Sequence, residues 1–489
     1  MEFCFVDNNT PLDRRSQSLV RSHAMKGKNL GRTIRARGRR GRQRQLDNES
    51  GFSQTEVNQE DLSATESGRK LLPKISNPRS SNALEVRRPA TSPQNNLQGS
   101  EMLYFVTPKQ FNASSRYLFY ECYNVIFQSL YPRIFCRELD EAKISFFEMM
   151  IGNPSVFHCA LGMTGVHLTR YLGHRDPSPE SIRHFTEAMR LLRRELSSKS
   201  EPQDSSLAVI ASLAIHADFT HSTNECRIHL QGLKHMIDLR PGGFPGLCLR
   251  IPEVGNKIRR VDLDLALMVG SSTLLGSQPS PLPPTVYVAP INSPGSQKAL
   301  PFPLYRTSEA FQTIIRDTMT LCDYAGRAQL GAFQYQNILL SIFQRLVDFS
   351  PLNGPRPLLE LDDICQLGFL AFINTLVNYQ PQMRSICPPL LSEMLEARIL
   401  VFSKNTAPIG AQHDPHLCLW LIFIYAISAP DFGTCCDEKS PIAQSIYALA
   451  VMLTLKEWED VHVRLSEYPW ISEFHDEMGR RLWKSITCL

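Results

Sequence analysis

From residue 101 onward, apolar residues recur at helical spacing, and almost no stretch alternates apolar and polar residues as a strand would. The clearest segment is PSPESIRHFTEAMRLLRRELSSK, residues 177–199. Here Ser178 can cap a helix whose first position suits Pro179. One apolar face is then predicted, formed by Ile182, Phe185, Met189, Leu192 and Leu196. The pattern predicts an all-α fold class, with a large multi-helix domain over residues 101–489.

The same spacing predicts further helices along the body. Their approximate ranges are 116–131, 156–173, 205–219, 224–240, 262–275, 306–326, 331–348, 360–379, 389–402, 415–428, 441–464 and 470–486. Asp414, beside Pro415, is predicted to cap the helix at 415–428. One segment interrupts them, because residues 279–303 hold eight prolines, which neither a helix nor a central strand accommodates. We therefore predict a Pro-rich internal loop at 279–303.

The first hundred residues differ in composition from the body. They carry 18 Lys and Arg against 10 Asp and Glu, whereas the remaining residues carry 34 against 38. Residues 47–100 are rich in Ser, Asn, Gln, Glu and Pro and hold few large apolar side chains to offset chain entropy by burial. They are predicted to be a disordered linker between a basic arm, residues 1–46, and the helical body.

The basic arm contains RTIRARGRRGRQRQ, residues 32–45, with seven arginines and no acidic residue. Guanidinium groups pair with phosphates and release counterions, so the arm is a candidate for nuclear import or for sequence-independent DNA contact. A solvated tail with no partner is the alternative. The absence of aromatic residues from 6 to 51 argues against base stacking. The candidate contact residues are Lys26, Lys28, Arg32, Arg35, Arg37, Arg39, Arg40, Arg42 and Arg44.

Sequence signatures of enzymes and metal sites are few. There is no G-x-S-x-G, no glycine-rich phosphate loop and no H-E-x-x-H, so we predict no catalytic residues and no cofactor. His221, Glu225 and His229 are spaced four apart and would make a weak metal site if they shared one helix side. Scattered cysteines without a C-x-x-C indicate reduced thiols, and the longest apolar run, residues 417–429, is too short to span a membrane.

The stretch CRIHLQGLKHMIDLRPGG, residues 226–243, resembles the core of the fungal-specific transcription factor domain, a helical regulatory region that usually follows a binuclear zinc cluster. The following NKIRRVDLDLALMVGSSTLL resembles that family's next helix. The opening FCFVDNNTPLDRRSQSLVRSHAMKGKNLGR and the closing WEDVHVRLSEYPWISEFHDEMGRRLW are similar to the ends of one fungal subgroup. The positions that match the family core are His229, Gly232, Leu233, Met236, Arg240 and Gly243.

In physical terms, this segment is predicted to be scaffold. A helix over 224–240 would bury one face, Gly232 would let another helix approach closely, and the Pro-Gly-Gly after Arg240 would end it. The predicted buried residues are Ile228, Leu230, Leu233, Ile237 and Leu239. Packing is therefore the expected role of the glycine, rather than a ligand contact.

The resemblance implies a fungal nuclear transcription regulator, with transcriptional co-regulators, the import machinery and DNA as partners and with a small-molecule effector left open. The sequence differs from the family in its first hundred residues, which contain one cysteine, Cys4, whereas a zinc cluster needs six. Zinc-dependent reading of DNA is therefore not carried over. The second hypothesis of function is a helical effector-binding or protein-binding module that never contacts DNA. The third is an all-helical enzyme.

Overall fold

The computed structural model describes residues 112–122, 126–171, 177–198, 203–276, 300–327, 330–377, 386–404, 414–437 and 439–487. These residues belong to one compact unit and are almost entirely α-helical, which confirms the predicted fold class. The basic arm with its nine candidate residues, the linker at 47–100 and residues 279–299 of the Pro-rich loop lie outside the described residues. The predictions for those segments stay predictions.

We number the helices in chain order. The first nine are α1 (Ala113–Glu121), α2 (Phe127–Leu130), α3 (Asp140–Gly152), α4 (Pro154–Tyr171), α5 (Pro179–Leu196), α6 (Asp204–Phe219), α7 (Thr223–Asp238), α8 (Gly243–Arg250) and α9 (Pro252–Val269). The others are α10 (Glu309–Asp323), α11 (Ala332–Phe349), α12 (Glu360–Val377), α13 (Pro389–Lys404), α14 (Pro415–Ser428), α15 (Phe432–Cys435), α16 (Pro441–Met452), α17 (Trp458–Leu465) and α18 (Ser472–Thr487).

Two hydrophobic clusters make up the core, and α9 contributes to both. Helices α3 to α8 pack around one cluster, into which α9 inserts Val254, Ile258, Val261 and Leu265. Helices α10 to α18 surround the other, which α9 enters with Leu263, Ala266 and Leu267. At the centre of this second cluster lies α14, whose uncharged sequence is buried from Leu417 onward. Because α9 has apolar residues on two sides, it joins the clusters into one body.

A small parallel sheet adds the only strands in the described part of the chain. Strand β1 (Cys136–Glu138) pairs with β2 (Leu330–Gly331), with Cys136 opposite Leu330. The sequence analysis did not predict these strands, because two or three residues are too few to show an alternating pattern.

Most predicted helices are present, with ends shifted by a few residues, and two predicted caps are confirmed. The Ser178 hydroxyl accepts a hydrogen bond from the Ser181 amide at 3.2 Å, and the Asp414 carboxylate accepts one from the Leu417 amide at 2.9 Å. A proline follows each cap at the first helical position. Local sequence therefore determines where α5 and α14 begin.

The predicted apolar face of α5 is wrong by about one residue. The buried positions are Ser181, His184, Ala188 and Leu192, whereas Ile182 and Leu196 are exposed. The reason is a close approach to α4, since a Cβ added to Gly165 would lie 1.6 Å from the Ser181 hydroxyl oxygen. Small side chains on α5 therefore face α4, and the larger apolar ones are displaced to the rim.

Several other helix predictions are wrong. Helices α3, α8 and α15 were not predicted, and α9 begins at Pro252, ten residues before the predicted start at 262. The predicted single helix at 441–464 is broken at Thr454, which has a φ of 55°. Helix α17 then starts anew, because the Asp460 carboxylate accepts hydrogen bonds from the Lys456 and Glu457 amides at 2.9 and 3.1 Å.

Two further sequence expectations can be compared with the described residues. Every cysteine among them is a free thiol. None of the described helices is both long enough and apolar enough to cross a membrane.

Candidate functional site

The segment that resembles the family core folds as α7, and its sequence shows why. His221 has a φ of 57° and turns the chain after α6, and Glu225 lies in the first turn, where a carboxylate is favourable. Four apolar residues spaced by three or four positions form one fully buried stripe, namely Cys226, Leu230, Leu233 and Ile237. This stripe faces the first cluster, so α7 is fixed on that side by packing.

The opposite side of α7 is a row of exposed residues at positions 228, 232, 235 and 239. We call Ile228, Gly232, His235 and Leu239 the outer face of α7. The exposed fraction is 63% for Ile228 and 73% for Leu239, so the prediction that both supply buried surface is wrong. Their positions lie between those of the buried stripe, and a helix cannot bury both sets on one side.

The predicted role of Gly232 is also wrong. A Cβ built on this glycine meets no atom within 4 Å, so no other helix of the described body approaches it closely. Leu233, the next residue, is fully buried as predicted. The glycine therefore lies in the middle of an exposed helix without a packing reason inside the body.

His229 and Met236 lie at the edge of α7, and both are half-buried. Burial, together with the nearby His216, lowers the pKa of His229. His221 precedes the helix and does not share a side with Glu225 and His229, so the three-residue metal hypothesis is wrong. Throughout the described ranges, no group of three or more His, Cys, Asp or Glu residues is placed to hold a metal ion.

Arg240 anchors the end of α7 to the start of α6. Its guanidinium is 8% exposed and donates to the carboxylate of Asp204, which also receives hydrogen bonds from Arg250 at 3.1 and 3.2 Å. Burial alone would raise the pKa of Asp204, but the hydrogen bonds from Arg250 and Arg240 outweigh it, and the pKa is lowered. The family-core arginine is therefore structural, and it holds α6, α7 and α8 together.

Two glycines let the chain turn from α7 into α8. Gly242 and Gly243 have φ values of 78° and 53°, a region that favours glycine. The predicted end of the helix at the Pro-Gly-Gly is confirmed, with α7 ending at Asp238 and α8 beginning at Gly243.

Sequence reasoning missed a polar contact beneath α7. Lys257 on α9 donates to the Ser212 hydroxyl at 2.5 Å, between α6 and α9. Burial lowers the pKa of this lysine, and the neighbouring thiols of Cys159 and Cys122 act in the opposite direction. No local sequence pattern indicates this contact, because Ser212 lies 45 positions before Lys257.

Sequence reasoning also missed a pair of histidines between α4 and α5. The Nδ1 atoms of His158 and His184 are 2.8 Å apart, and His184 Nε2 lies 3.0 Å from the Ser115 hydroxyl. Burial lowers the pKa of both rings. Each ring is held by a neighbour within the body, so the pair joins helices.

The site residues proposed from sequence therefore fall into three groups. Leu233 is buried, Arg240 pairs with Asp204 and Gly243 lies in the turn into α8, whereas Gly232 lies on an exposed surface. His229 and Met236 flank that surface. The outer face of α7 offers apolar contact area and a small residue, which is the chemistry of protein binding.

Comparison with known proteins identifies the segment that contains α7. No curated protein and no solved structure matches the chain. One family model does match, over residues 120–266, a range that runs from the end of α1 into α9. Its description is fungal specific transcription factor domain, so residues 120–266 are similar to that family.

Proposed function

We propose that this chain is a fungal nuclear regulator of RNA polymerase II transcription that acts through its helical body and carries no zinc cluster of its own. The observation that carries the proposal is the family match over residues 120–266, a non-enzymatic family of transcription factor domains. The basic arm supports it, because twelve Lys and Arg lie between Asp13 and Asp47 with no acidic residue among them. The arm would direct import or contact DNA, and the body would bind co-regulators.

The outer face of α7 is the surface through which we propose that the body binds protein. Apolar side chains that are more than half exposed, on a helix otherwise fixed by its buried stripe, are typical of interaction surfaces. The helix would present them without rearrangement, because four fully buried residues hold its other side. A small-molecule effector remains an option for the body.

Location in a fungal cell tests the nuclear role. A fluorescent fusion of the full chain should accumulate in the nucleus, and a variant without residues 1–46 should not. The matched control removes residues 55–100, which is a deletion of equal length without the candidate residues. If the variant without the arm still accumulates in the nucleus, the arm is not the nuclear address.

Salt dependence tests DNA contact by the arm. If the arm makes nine phosphate contacts, raising the salt concentration from 50 to 200 mM should lower its affinity for DNA by about three to five orders of magnitude. The control variant replaces Lys26, Lys28 and the seven arginines with glutamine and should bind weakly at both salt concentrations. Full-chain binding that does not depend on salt would contradict phosphate contact.

The charge of the body favours a second candidate function, a helical protein-binding module that never contacts DNA. Residues 101–489 carry 34 basic against 38 acidic side chains, so the body alone would not attract a polyanion. On this alternative, removal of residues 1–46 changes neither location nor partners. A reporter gene under a tethered body would separate the two functions, since only a transcription regulator changes reporter output.

A further inference from the structure

The outer face of α7 has a spacing that suits pairing with another helix. Ile228, Gly232, His235 and Leu239 are separated by four, three and four residues, so they form one straight row along the helix. The row has an exposed aliphatic side chain at each end and a glycine near its middle. Two helices can therefore approach closely at the middle and cover the apolar ends.

Gly232 differs from the helical glycines that the body uses for packing. A Cβ on Gly165 would lie 1.6 Å from Ser181, and one on Gly368 would lie 2.3 Å from Leu421. A Cβ on Gly232 meets nothing within 4 Å. A glycine inside a helix costs about 0.5–1 kcal/mol relative to alanine, so the folded body alone gives no reason for it.

Charged residues on one flank of the row indicate which partner fits. Arg227 lies beside Ile228, and Asp238 lies beside Leu239, both on the same side of the helix. In the free body, Arg227 donates only to Asn224 within the helix, at 2.7 Å, and Asp238 receives Lys234 at 3.2 Å. The flank therefore has a guanidinium that contacts a neutral amide at one end and a lysine–aspartate ion pair at the other.

We propose that the outer face of α7 pairs with the same face of a second copy of this chain, with the two helices antiparallel about a two-fold axis. In this arrangement Ile228 meets Leu239 of the second copy, and Gly232 meets His235 of the second copy. Arg227 then lies opposite Asp238 of the second copy, and the contact occurs twice. In a parallel pair about a two-fold axis the two flanks lie on opposite sides of the contact, so only the antiparallel arrangement brings Arg227 to Asp238 of the second copy.

The inference rests on the proposed function only in that it names the partner of the proposed protein-binding surface. The nuclear role is measured by location and reporter output, whereas the pairing is measured by the mass of the purified chain. The two can therefore fail separately. Another protein as the occupant of this surface is one of the outcomes that would overturn self-pairing.

Charge reversal gives the test, with the full chain studied by sedimentation over a range of concentrations. The wild type should show a concentration-dependent dimer. Arg227→Asp alone and Asp238→Arg alone should each raise the dimer Kd at least about tenfold, because each replaces two attractions with two repulsions. An equimolar mixture of the two variants should restore the dimer, since both contacts become oppositely charged again.

The matched control is Arg316→Asp on α10, because Arg316 is an exposed arginine that also donates to an amide on its own helix, Gln312, at 3.1 Å. This variant should dimerise like the wild type. A monomeric wild type at all concentrations would overturn the proposal, and so would a mixture that stays monomeric. Circular dichroism should be the same for all variants, because the substituted side chains lie on the surface.

Discussion

Replacement of Gly232 by alanine should stabilise α7, although glycine is the residue that matches the family core. The added Cβ meets no atom within 4 Å, so the substitution has no steric cost in the isolated body. Alanine is favoured over glycine inside a helix by about 0.5–1 kcal/mol. The net expectation is a gain of that size in the stability of α7.

Hydrogen exchange is the suitable measurement, because a chain with two hydrophobic clusters need not unfold in one step. Amides of residues 223–238 should exchange about two to five times more slowly in Gly232→Ala, which is the same free energy expressed as a ratio. The experiment is done at protein concentrations low enough for the chain to be monomeric. At higher concentrations the same variant should dimerise more weakly, because the Cβ enters the proposed close contact.

Gly368→Ala is the matched control for the same substitution. Its Cβ would lie 2.3 Å from the Leu421 side chain and 3.1 Å from Trp420, inside the second cluster. Overpacking of a core costs about 1–3 kcal/mol, so this variant should lower the melting temperature. If Gly232→Ala instead accelerates exchange in α7, then Gly232 has a packing partner within the body, and the assignment of the outer face as free is refuted.

Three further perturbations test the interior. Arg240→Ala should lower the free energy of unfolding by about 2 kcal/mol, because the Arg240 side chain is 8% exposed. Arg250→Ala should lower it by at most about 1 kcal/mol, because the Arg250 side chain is 47% exposed. Equal losses in melting temperature would contradict the assigned roles. Burial lowers the pKa of His475 from 6.5 to about 3, so the unfolded chain alone takes up this proton as the pH falls from 6.5 to 3. In this pH range the wild type should lose up to about 1.4 kcal/mol of stability per pH unit through His475, and His475→Gln should not have this loss. A variant whose melting temperature depends on pH as in the wild type would contradict this role of His475. The buried Tyr335 hydroxyl has no hydrogen-bond partner in the described structure, so Tyr335→Phe should not lower stability, and a loss above about 1 kcal/mol would show a missing partner.

The sequence was sufficient to predict where most of the helices occur but not which side of each helix is buried. Caps at Ser178 and Asp414 depend on neighbours three residues away, and both predictions are confirmed. The buried face of α5 depends on Gly165 in another helix, and the apolar spacing alone placed it wrongly. Helical periodicity reports which residues can share a face, whereas the choice between faces depends on contacts far along the chain.

The same limit explains the candidate site. Ile228 and Leu239 are apolar and lie on a helix, so burial was the natural expectation, and their exposure became evident only from the structure. Polar residues that join helices, such as Lys257 with Ser212, are separated by tens of positions and leave no local pattern. A sequence can therefore predict which segment forms the site. Which face of α7 is exposed depends on which of its apolar residues pack in the core.

The packing of α9 shows that the matched segment is not a self-contained part of the body. The family match ends at residue 266, within α9, but Leu263 and Ala266 of the matched segment are buried in the second cluster. Arg260 also donates to the carbonyl of Val377, the last residue of α12. A chain that stopped after the match would expose these apolar side chains and leave a guanidinium without its acceptor. Helices α10 to α18 therefore complete the fold that presents α7, and the protein binding that we propose for α7 involves the whole body.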